Sequence, residues 1–175
     1  MERENFLWLL NIYRCEVGAE VGILEGKYSE LIIKYLQADL KKLYLVDSWK
    51  EYSEDLYPDP ARASQEENDK RMERVVQKFK DDNRIVIIHN ESVKAALEVK
   101  ELLDFVYIDG NHRYEFIASD ILAWYHKVKK GGLVCGHDYN KPEVERAVME
   151  FCSAMGIIYH WWGTADTSSW FFEKK

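Results

Sequence analysis

Two short segments concentrate the side chains that could carry chemistry. The first is Ile108-Asp109-Gly110-Asn111-His112, and the second is Gly136-His137-Asp138-Tyr139. Each follows an apolar run, so their polar groups stand where predicted strands end. Carboxylates are hard oxygen ligands for a divalent ion such as Mg²⁺, and histidine can bind a metal or take a proton near neutral pH. Asp109 and Asp138 are therefore candidate metal ligands and candidate site residues, and His112 or His137 is a candidate ligand or general base.

The alternative for either histidine is a hydrogen-bonded structural role. A divalent ion is therefore one possible use of this cluster, and direct contact with a substrate or cofactor is another.

A glycine-containing turn follows the first apolar run, in the order Glu20-Val21-Gly22-Ile23-Leu24-Glu25-Gly26. Glycine lets the backbone turn tightly and approach a ligand closely. The spacing E-x-G-x-x-x-G differs from the G-x-G-x-x-G of dinucleotide sites, so a pyrophosphate cradle is less well supported. A tight connection without a ligand is the alternative.

Two further strand ends carry polar groups. Asp47 begins Asp47-Ser48-Trp49, where a carboxylate can accept the hydroxyls of a ribose, or can stabilise a turn or helix cap. His89-Asn90-Glu91-Ser92 offers Glu91 or Asn90 to an adenine edge, whereas Ser92 could equally be the N-cap of the next helix.

The elements that must position these residues alternate between strands and helices. Near-continuous apolar runs predict parallel strands covered on both faces, at Val17–Val21, Leu43–Val46, Ile85–Ile88, Phe105–Ile108 and Leu133–Cys135. Helical patterns occupy Tyr28–Leu40, Glu67–Phe79, Ser92–Lys100, Glu115–Lys130 and Glu143–Ala154. This alternation predicts an α/β fold with a doubly wound sheet.

The end of the sequence breaks this rhythm. Ile157–Trp162 and Ser168–Phe172 are strand-like and are separated by the polar loop Gly163–Thr167, which predicts an antiparallel hairpin. Five parallel strands and this hairpin give a seven-strand sheet within one domain, residues 1–175. The long connection Lys50–Ser64 is predicted to be either a lid or a plain surface loop.

Composition narrows the class of protein. The 175 residues carry a net charge of −7, which argues against a nucleic-acid-binding protein. No signal peptide or membrane-spanning run is visible, and the odd set Cys15, Cys135 and Cys152 fits a reducing compartment, so we expect a cytoplasmic protein. Cys15 and Cys135 lie in apolar surroundings and are predicted to be buried thiols.

The sequence between about residues 15 and 140 resembles the class I S-adenosylmethionine-dependent methyltransferases. The resemblance rests on the glycine turn, on Tyr44-Leu45-Val46-Asp47, and on the two segments that contain Asp109 and His137. Specifically, it is similar to the small bacterial methyltransferases related to macrocin and catechol O-methyltransferases. The resemblance implies a Rossmann-like sheet, S-adenosylmethionine as cofactor, Mg²⁺ in the metal-dependent members, and methylation of a small-molecule acceptor at a hydroxyl.

It also implies roles for individual residues. The methionine side of the cofactor would be shaped by Glu20, Gly22, Gly26 and Ser29. The ribose would meet Asp47 and Trp49, and the adenine Glu91 and Ser92. Asp109 would face the reacting methyl and, with His137 and Asp138, occupy the metal positions. Catechol-type enzymes carry an Asp-Asn pair where this sequence has His137-Asp138, which is the one departure at this site.

Two other functions fit the sequence. A catalytically silent adenosyl-binding module would act through partners, and a homodimer face could then be built from Trp161, Trp162, Trp170, Phe171 and Phe172, which otherwise serve core and edge packing. A metal-dependent hydrolase or hydroxylase would use the aspartate–histidine strand ends without needing S-adenosylmethionine.

Overall fold

The computed structural model describes residues 2–57, 59, 61–164 and 168–175. It contains one seven-stranded sheet with helices on both faces. The strands are β1 (Val17–Val21), β2 (Lys42–Asp47), β3 (Ile85–His89), β4 (Leu103–Ile108), β5 (Val128–His137), β6 (Tyr159–Gly163) and β7 (Ser168–Glu173). The helices are α1 (Glu2–Ile12), α2 (Lys27–Tyr35), α3 (Gln65–Phe79), α4 (Ser92–Glu98), α5 (Tyr114–Tyr125) and α6 (Pro142–Met155).

The strand order is β3-β2-β1-β4-β5-β7-β6. The first five strands are parallel, and β7 lies antiparallel to both β5 and β6. From β1 the chain winds outward through β2 and β3, and from β4 it winds outward in the opposite direction. The crevice between the carboxyl ends of β1 and β4 is therefore the topological switch point, where doubly wound sheets bind ligands. The predicted α/β fold, with five parallel strands and a terminal hairpin, is confirmed.

Both faces of the sheet are buried, which explains why the strands are apolar at consecutive positions. Along β4, Val106 and Ile108 belong to the hydrophobic cluster on one face, whereas Phe105 and Tyr107 belong to the cluster on the other. The three cysteines are free and buried, as predicted for Cys15 and Cys135.

The helix predicted over Glu115–Lys130 is shorter in the structure than the sequence pattern indicates. It ends at Tyr125, and β5 begins at Val128, which pairs with Leu103 of β4. The lysines of this segment suggested a helix end, but the ammonium group of Lys129 lies 2.6 Å from Asp104 beside the sheet. Gly131, with φ of 77°, lies in an irregularity of β5 rather than at a helix C-terminus.

Other boundaries differ by a few residues. The helix α2 ends at Tyr35 rather than Leu40, and β6 begins at Tyr159 rather than Ile157. Residues 165–167 of the predicted hairpin loop lie outside the described residues, as do Pro58 and Pro60 of the long connection.

The aromatic residues of the hairpin serve mainly to pack it. Trp170 and Phe172 are fully buried, and the indole N–H of Trp170 donates to the carbonyl of His137. Trp161 on the edge strand is 55% exposed and stacks on Tyr139. Within the part of the chain that the structure describes, no helix combines the length and apolar character needed to cross a membrane.

Replacing Gly136 by Ala tests how tightly β5 is packed. The added Cβ would lie 2.5 Å from the Ile108 carbonyl oxygen and 2.6 Å from the Trp170 ring. We expect the free energy of unfolding to fall by about 3 kcal/mol, since overpacking forces the backbone to shift. The matched variant Gly131→Ala meets no atom within 4 Å, so only its positive φ should cost about 1 kcal/mol. Equal losses in urea unfolding would contradict this packing.

Candidate active site

A cavity of about 930 Å³ opens at the carboxyl ends of the parallel strands. The ends of the first five strands form its floor, and the connection 50–64 forms one wall. A volume of this size holds a nucleoside-sized ligand together with a small second molecule. The cavity lies at the topological switch point of the sheet.

Gly22 forms the edge of this cavity and is required by the neighbouring strand. Its φ is 85°, and a Cβ added there would lie 2.4 Å from the carbonyl oxygen of Asp109. Gly26 has φ of 69° and precedes α2, where a Cβ would lie 2.8 Å from the Phe79 ring. Gly22 lines the cavity, whereas Gly26 supports the turn behind it.

Glu20 and Ser29 lie beneath the glycine turn rather than along the cavity. Both are buried, and the Ser29 hydroxyl donates to Glu20 Oε2 at 2.5 Å. Neither belongs to the cavity lining. In this conformation the pair holds β1 against α2 and thereby fixes the shape of the turn.

Asp47 joins the turn after β1 to the turn after β2. Its carboxylate accepts the backbone N–H of Leu24 at 2.9 Å and that of Trp49 at 2.8 Å. Burial raises the pKa of Asp47, and these backbone hydrogen bonds oppose that rise. The indole N–H of Trp49 donates in turn to the Leu24 carbonyl. Asp47 and Trp49 both line the cavity, so the predicted turn role and a ligand-facing position coexist.

Glu91 and Ser92 form the far side of the cavity at the start of α4. Glu91 is the N-cap residue and Ser92 the first helical residue, so Ser92 does not cap the helix. Hydrogen bonds from Lys94, and then from Lys50, lower the pKa of Glu91. The Ser92 hydroxyl accepts the indole N–H of Trp124 at 2.9 Å.

Asp120 also belongs to this wall, although sequence analysis assigns it no role. It is a buried residue of α5 and lines the cavity next to Ser92. Burial raises the pKa of Asp120 to about 7. A hydrogen bond with Ser92 acts in the opposite direction but is the smaller effect.

The structure brings Asp109, His137 and Asp138 together at the ends of β4 and β5. One potential ligand atom from each lies within 4.8 Å of the others. His137 Nδ1 is 3.3 Å from Asp138 Oδ2 and 3.7 Å from Asp109 Oδ1. Asp138 adopts φ of 58°, which directs the chain away from the sheet immediately after His137.

His112 extends this cluster toward the connection 50–64. Its Nε2 lies 2.6 Å from Asp138 Oδ2, and its Nδ1 lies 2.7 Å from Lys141 Nζ. Lys141 is also 3.2 Å from Asp59 Oδ2. Burial would raise the pKa of Asp138, but contacts from His112 and His137 outweigh it and hold the pKa well below its usual value.

Sequence reasoning missed Asp59 and Lys141. Lys141 follows Asp138 by only three residues, so its closeness to the cluster could have been predicted from the sequence. Asp59 lies in an irregular connection, and without a helix or strand period the sequence does not predict which way its side chain points.

The connection 50–64 is a wall of the cavity and not a remote surface loop. Asn111 Nδ2 donates to the Leu56 carbonyl at 2.8 Å, and Arg113 donates to the Asp55 carbonyl. The Tyr52 ring meets Phe116 edge to face, with centroids 6.2 Å apart. Aromatic side chains thus cover the end of the cavity where Asp109 and His112 lie.

A doubly wound sheet with this strand order, a glycine turn after β1 and a carboxylate after β2 has the architecture of a class I S-adenosylmethionine-dependent methyltransferase. A profile described as a methyltransferase domain matches residues 19–139. The chain belongs to this methyltransferase family, and the matched range spans the glycine turn and both segments that carry the aspartates and histidines.

Solved structures agree on the fold. A proposed methyltransferase from Streptococcus mutans, in complex with S-adenosylhomocysteine, is 12% identical with a TM-score of 0.72, covering 100% of this chain and 98% of that one. A proposed caffeoyl-CoA O-methyltransferase from Staphylococcus aureus is 12% identical with a TM-score of 0.71, covering 98% and 82%. A proposed rRNA methylase from Clostridium thermocellum is 12% identical with a TM-score of 0.71, covering 98% and 96%. No protein of curated function matches the chain.

The buried carboxyl of Asp120 should leave a signature in the pH dependence of stability. Its folded pKa of about 7 lies above the unfolded value of 3.8, so between these values the folded state holds a proton that the unfolded state has lost. The free energy of unfolding should therefore fall as pH rises through this window, by roughly 1 kcal/mol per pH unit from this group. Asp120→Asn should flatten the profile in urea unfolding between about pH 4 and 7. A profile parallel to that of the unmodified protein would contradict this prediction.

Proposed function

We propose that the chain transfers the methyl group of S-adenosylmethionine to a hydroxyl of a small acceptor. The main observation in support is that one continuous cavity extends from Asp47, the proposed ribose ligand, to the cluster of Asp109, His137 and Asp138. A cofactor bound along the switch point would point its reactive end toward this cluster.

The cavity fits the cofactor in both size and chemistry. Asp47 carries a carboxylate that can accept ribose hydroxyls, and Gly22 and Leu24 line the part of the cavity proposed for the methionine end. Glu91 and Ser92 stand where the adenine would lie. The solved relative from Streptococcus mutans, which holds S-adenosylhomocysteine, supports this assignment through its shared fold.

The acceptor end favours a small ring-shaped molecule over RNA. Tyr52, Tyr57 and Phe116 line the cavity and offer faces and edges on which a planar or sugar ring can pack. Two structural relatives are described as rRNA methylases. This chain nevertheless carries a net charge of −7, which opposes binding to phosphates.

The cluster at the acceptor end also fits a divalent cation. The carboxylates of Asp59 and Asp138 lie 3.2 and 3.5 Å from the ammonium group of Lys141, and that of Asp109 lies 3.7 Å from His137 Nδ1. Three partly buried carboxylates thus share one ammonium group, which leaves negative charge in excess. We propose that Asp109, His137 and Asp138 hold the ion. When bound, it would lower the pKa of the acceptor hydroxyl.

Methyl transfer breaks the bond between carbon and the sulfonium sulfur and forms a bond between carbon and oxygen. The sulfonium becomes a neutral thioether, and the hydroxyl proton must leave. In this chain the protein supplies alignment of the two reactants and a place for that proton.

His112 is the proposed proton acceptor because it is the imidazole of the cluster outside the three proposed ligands. Its two ring nitrogens contact Asp138 and Lys141 in this structure. The acceptor must therefore displace Lys141 from Nδ1 for the ring to take a proton there. Asp59 can retain the displaced ammonium group, and Asp138 can stabilise the imidazolium that forms.

Cofactor binding is tested by titration calorimetry with S-adenosylhomocysteine. We expect Asp47→Ala to weaken binding by about tenfold to a hundredfold, since it removes an acceptor for buried hydroxyls. Asp39→Ala changes an exposed residue and serves as the matched control, with unchanged affinity expected. Equal affinity of Asp47→Ala and the unmodified protein would reject the ribose assignment.

The metal site is tested by adding Mg²⁺ or Mn²⁺ to protein freed of metal with a chelator. We expect either ion to raise the thermal unfolding midpoint of the unmodified protein, because an ion that binds only the folded state stabilises it. Asp138→Asn should abolish most of the shift, whereas the exposed-site variant Asp81→Asn should keep it. A shift of the same size in Asp138→Asn would place the ion elsewhere.

A further inference from the structure

Asp120 is a buried carboxyl group that the proposed methyl transfer does not use. It is only 6% exposed, yet it contributes to the cavity wall. A Cβ added to Gly110 would lie 3.8 Å from Asp120 Oδ2, and among the described residues no other atom beyond its chain neighbours would lie within 4 Å. Asp120 Oδ2 therefore faces open space directly above Gly110, which also lines the cavity.

The surroundings of Asp120 leave its carboxyl group only partly satisfied. Its hydrogen-bond partner is Ser92, a neutral hydroxyl that already accepts the indole N–H of Trp124. Burying a carboxylate is costly unless donors compensate for the lost water. A ligand that brings an N–H group into the space above Gly110 would provide such a donor.

The position of this space identifies the part of the ligand that would fill it. It lies between the end of β3, which leads into Ser92, and the end of β4, which leads into Gly110. Asp47 marks the ribose position on the neighbouring β2. A base attached to that ribose extends toward Ser92, and its outer edge then approaches Asp120.

We infer that the Asp120 carboxylate accepts a hydrogen bond from the exocyclic amino group of adenine and thereby selects this base, and that Ser92 positions Asp120. A carboxylate accepts the amino N–H, whereas a base with a carbonyl at the same ring position would place one acceptor against another. This inference rests on the proposed adenosyl cofactor and goes beyond it by assigning the residue that selects the base.

The test compares S-adenosylhomocysteine with S-inosylhomocysteine, which differ at that ring position and at the adjoining N1, where only the inosyl compound carries a hydrogen. Calorimetry of the unmodified protein at pH 8 should show at least about tenfold tighter binding of the adenosyl compound, the usual effect of leaving a buried acceptor unpaired. At pH 6 the preference should shrink, because a protonated Asp120 can donate to the carbonyl of the inosyl compound.

Other charged groups near the wall do not confuse this ratio. Glu91 and Lys94 at the start of α4 pair with each other, Asp109 precedes Gly110 at the end of β4, and Glu115 stands on α5 itself. Their titration acts on both ligands alike, apart from any contact with N1. The change in the ratio of affinities when Asp120 is replaced therefore isolates the contribution of that residue.

Asp120→Asn should bring the two affinities to within about threefold at both pH values, because an amide can turn either its oxygen or its nitrogen toward the base. The exposed variant Asp81→Asn should retain the full preference. Gly110→Ala adds a methyl group into the open space without a protein clash, and should weaken both ligands while leaving the thermal midpoint unchanged.

The outcomes separate the two proposals. If the unmodified protein binds S-adenosylhomocysteine but does not discriminate against the inosyl compound, or if Asp120→Asn keeps the discrimination, the role of Asp120 is wrong and the cofactor stands. If it binds neither compound, the cofactor assignment itself fails. Should Asp120→Asn not fold, the preference and its pH trend in the unmodified protein decide the question.

Discussion

The close approach of the carboxyl ends of β1 and β4 is the constraint on which the site depends. The backbone N–H of Asp109 donates to Val21, and that of Gly22 donates to Val46, each at 2.8 Å. Three neighbouring strands thus stay hydrogen-bonded up to their last residues. Only a residue without a Cβ fits at Gly22, because the Asp109 carbonyl occupies the space beside it. Beyond this point the connections leave in opposite directions, and the cavity opens between them.

This arrangement explains why the sequence was informative about the fold. Strands covered on both faces need apolar residues at consecutive positions, so the five parallel strands stand out as short runs of β-branched and aromatic residues. The same burial makes polar residues at the strand ends conspicuous. The sequence alone therefore predicts that one edge of the sheet carries Asp47, Asp109, His137 and Asp138.

The sequence was less informative where tertiary contacts override local pattern. The start of β5 resembles a lysine-rich helix end, and only its pairing with Leu103 and the contact of Lys129 with Asp104 makes it a strand. Glu20 and Ser29 carry the right residue types for ligand contact, but their mutual hydrogen bond buries them behind the turn. These outcomes depend on partners that are distant in sequence.

The residues that complete the site come from elements with no periodic signal. Asp59 belongs to an irregular connection, and it meets Lys141 from the loop before α6. Asp120 lies on a helix whose pattern predicts packing alone, yet its carboxyl group faces the cavity. Relatives with only 12% identity share the sheet and the switch point, so the acceptor has to be inferred from such local side chains and not from the fold.

The most direct test of this account is a crystal structure of the chain grown with S-adenosylhomocysteine. The account predicts the nucleoside in the crevice between β1 and β4, with its ribose hydroxyls hydrogen-bonded to the Asp47 carboxylate and its sulfur directed toward Asp109. A nucleoside bound elsewhere on the molecule, with Asp47 facing only solvent, would contradict it.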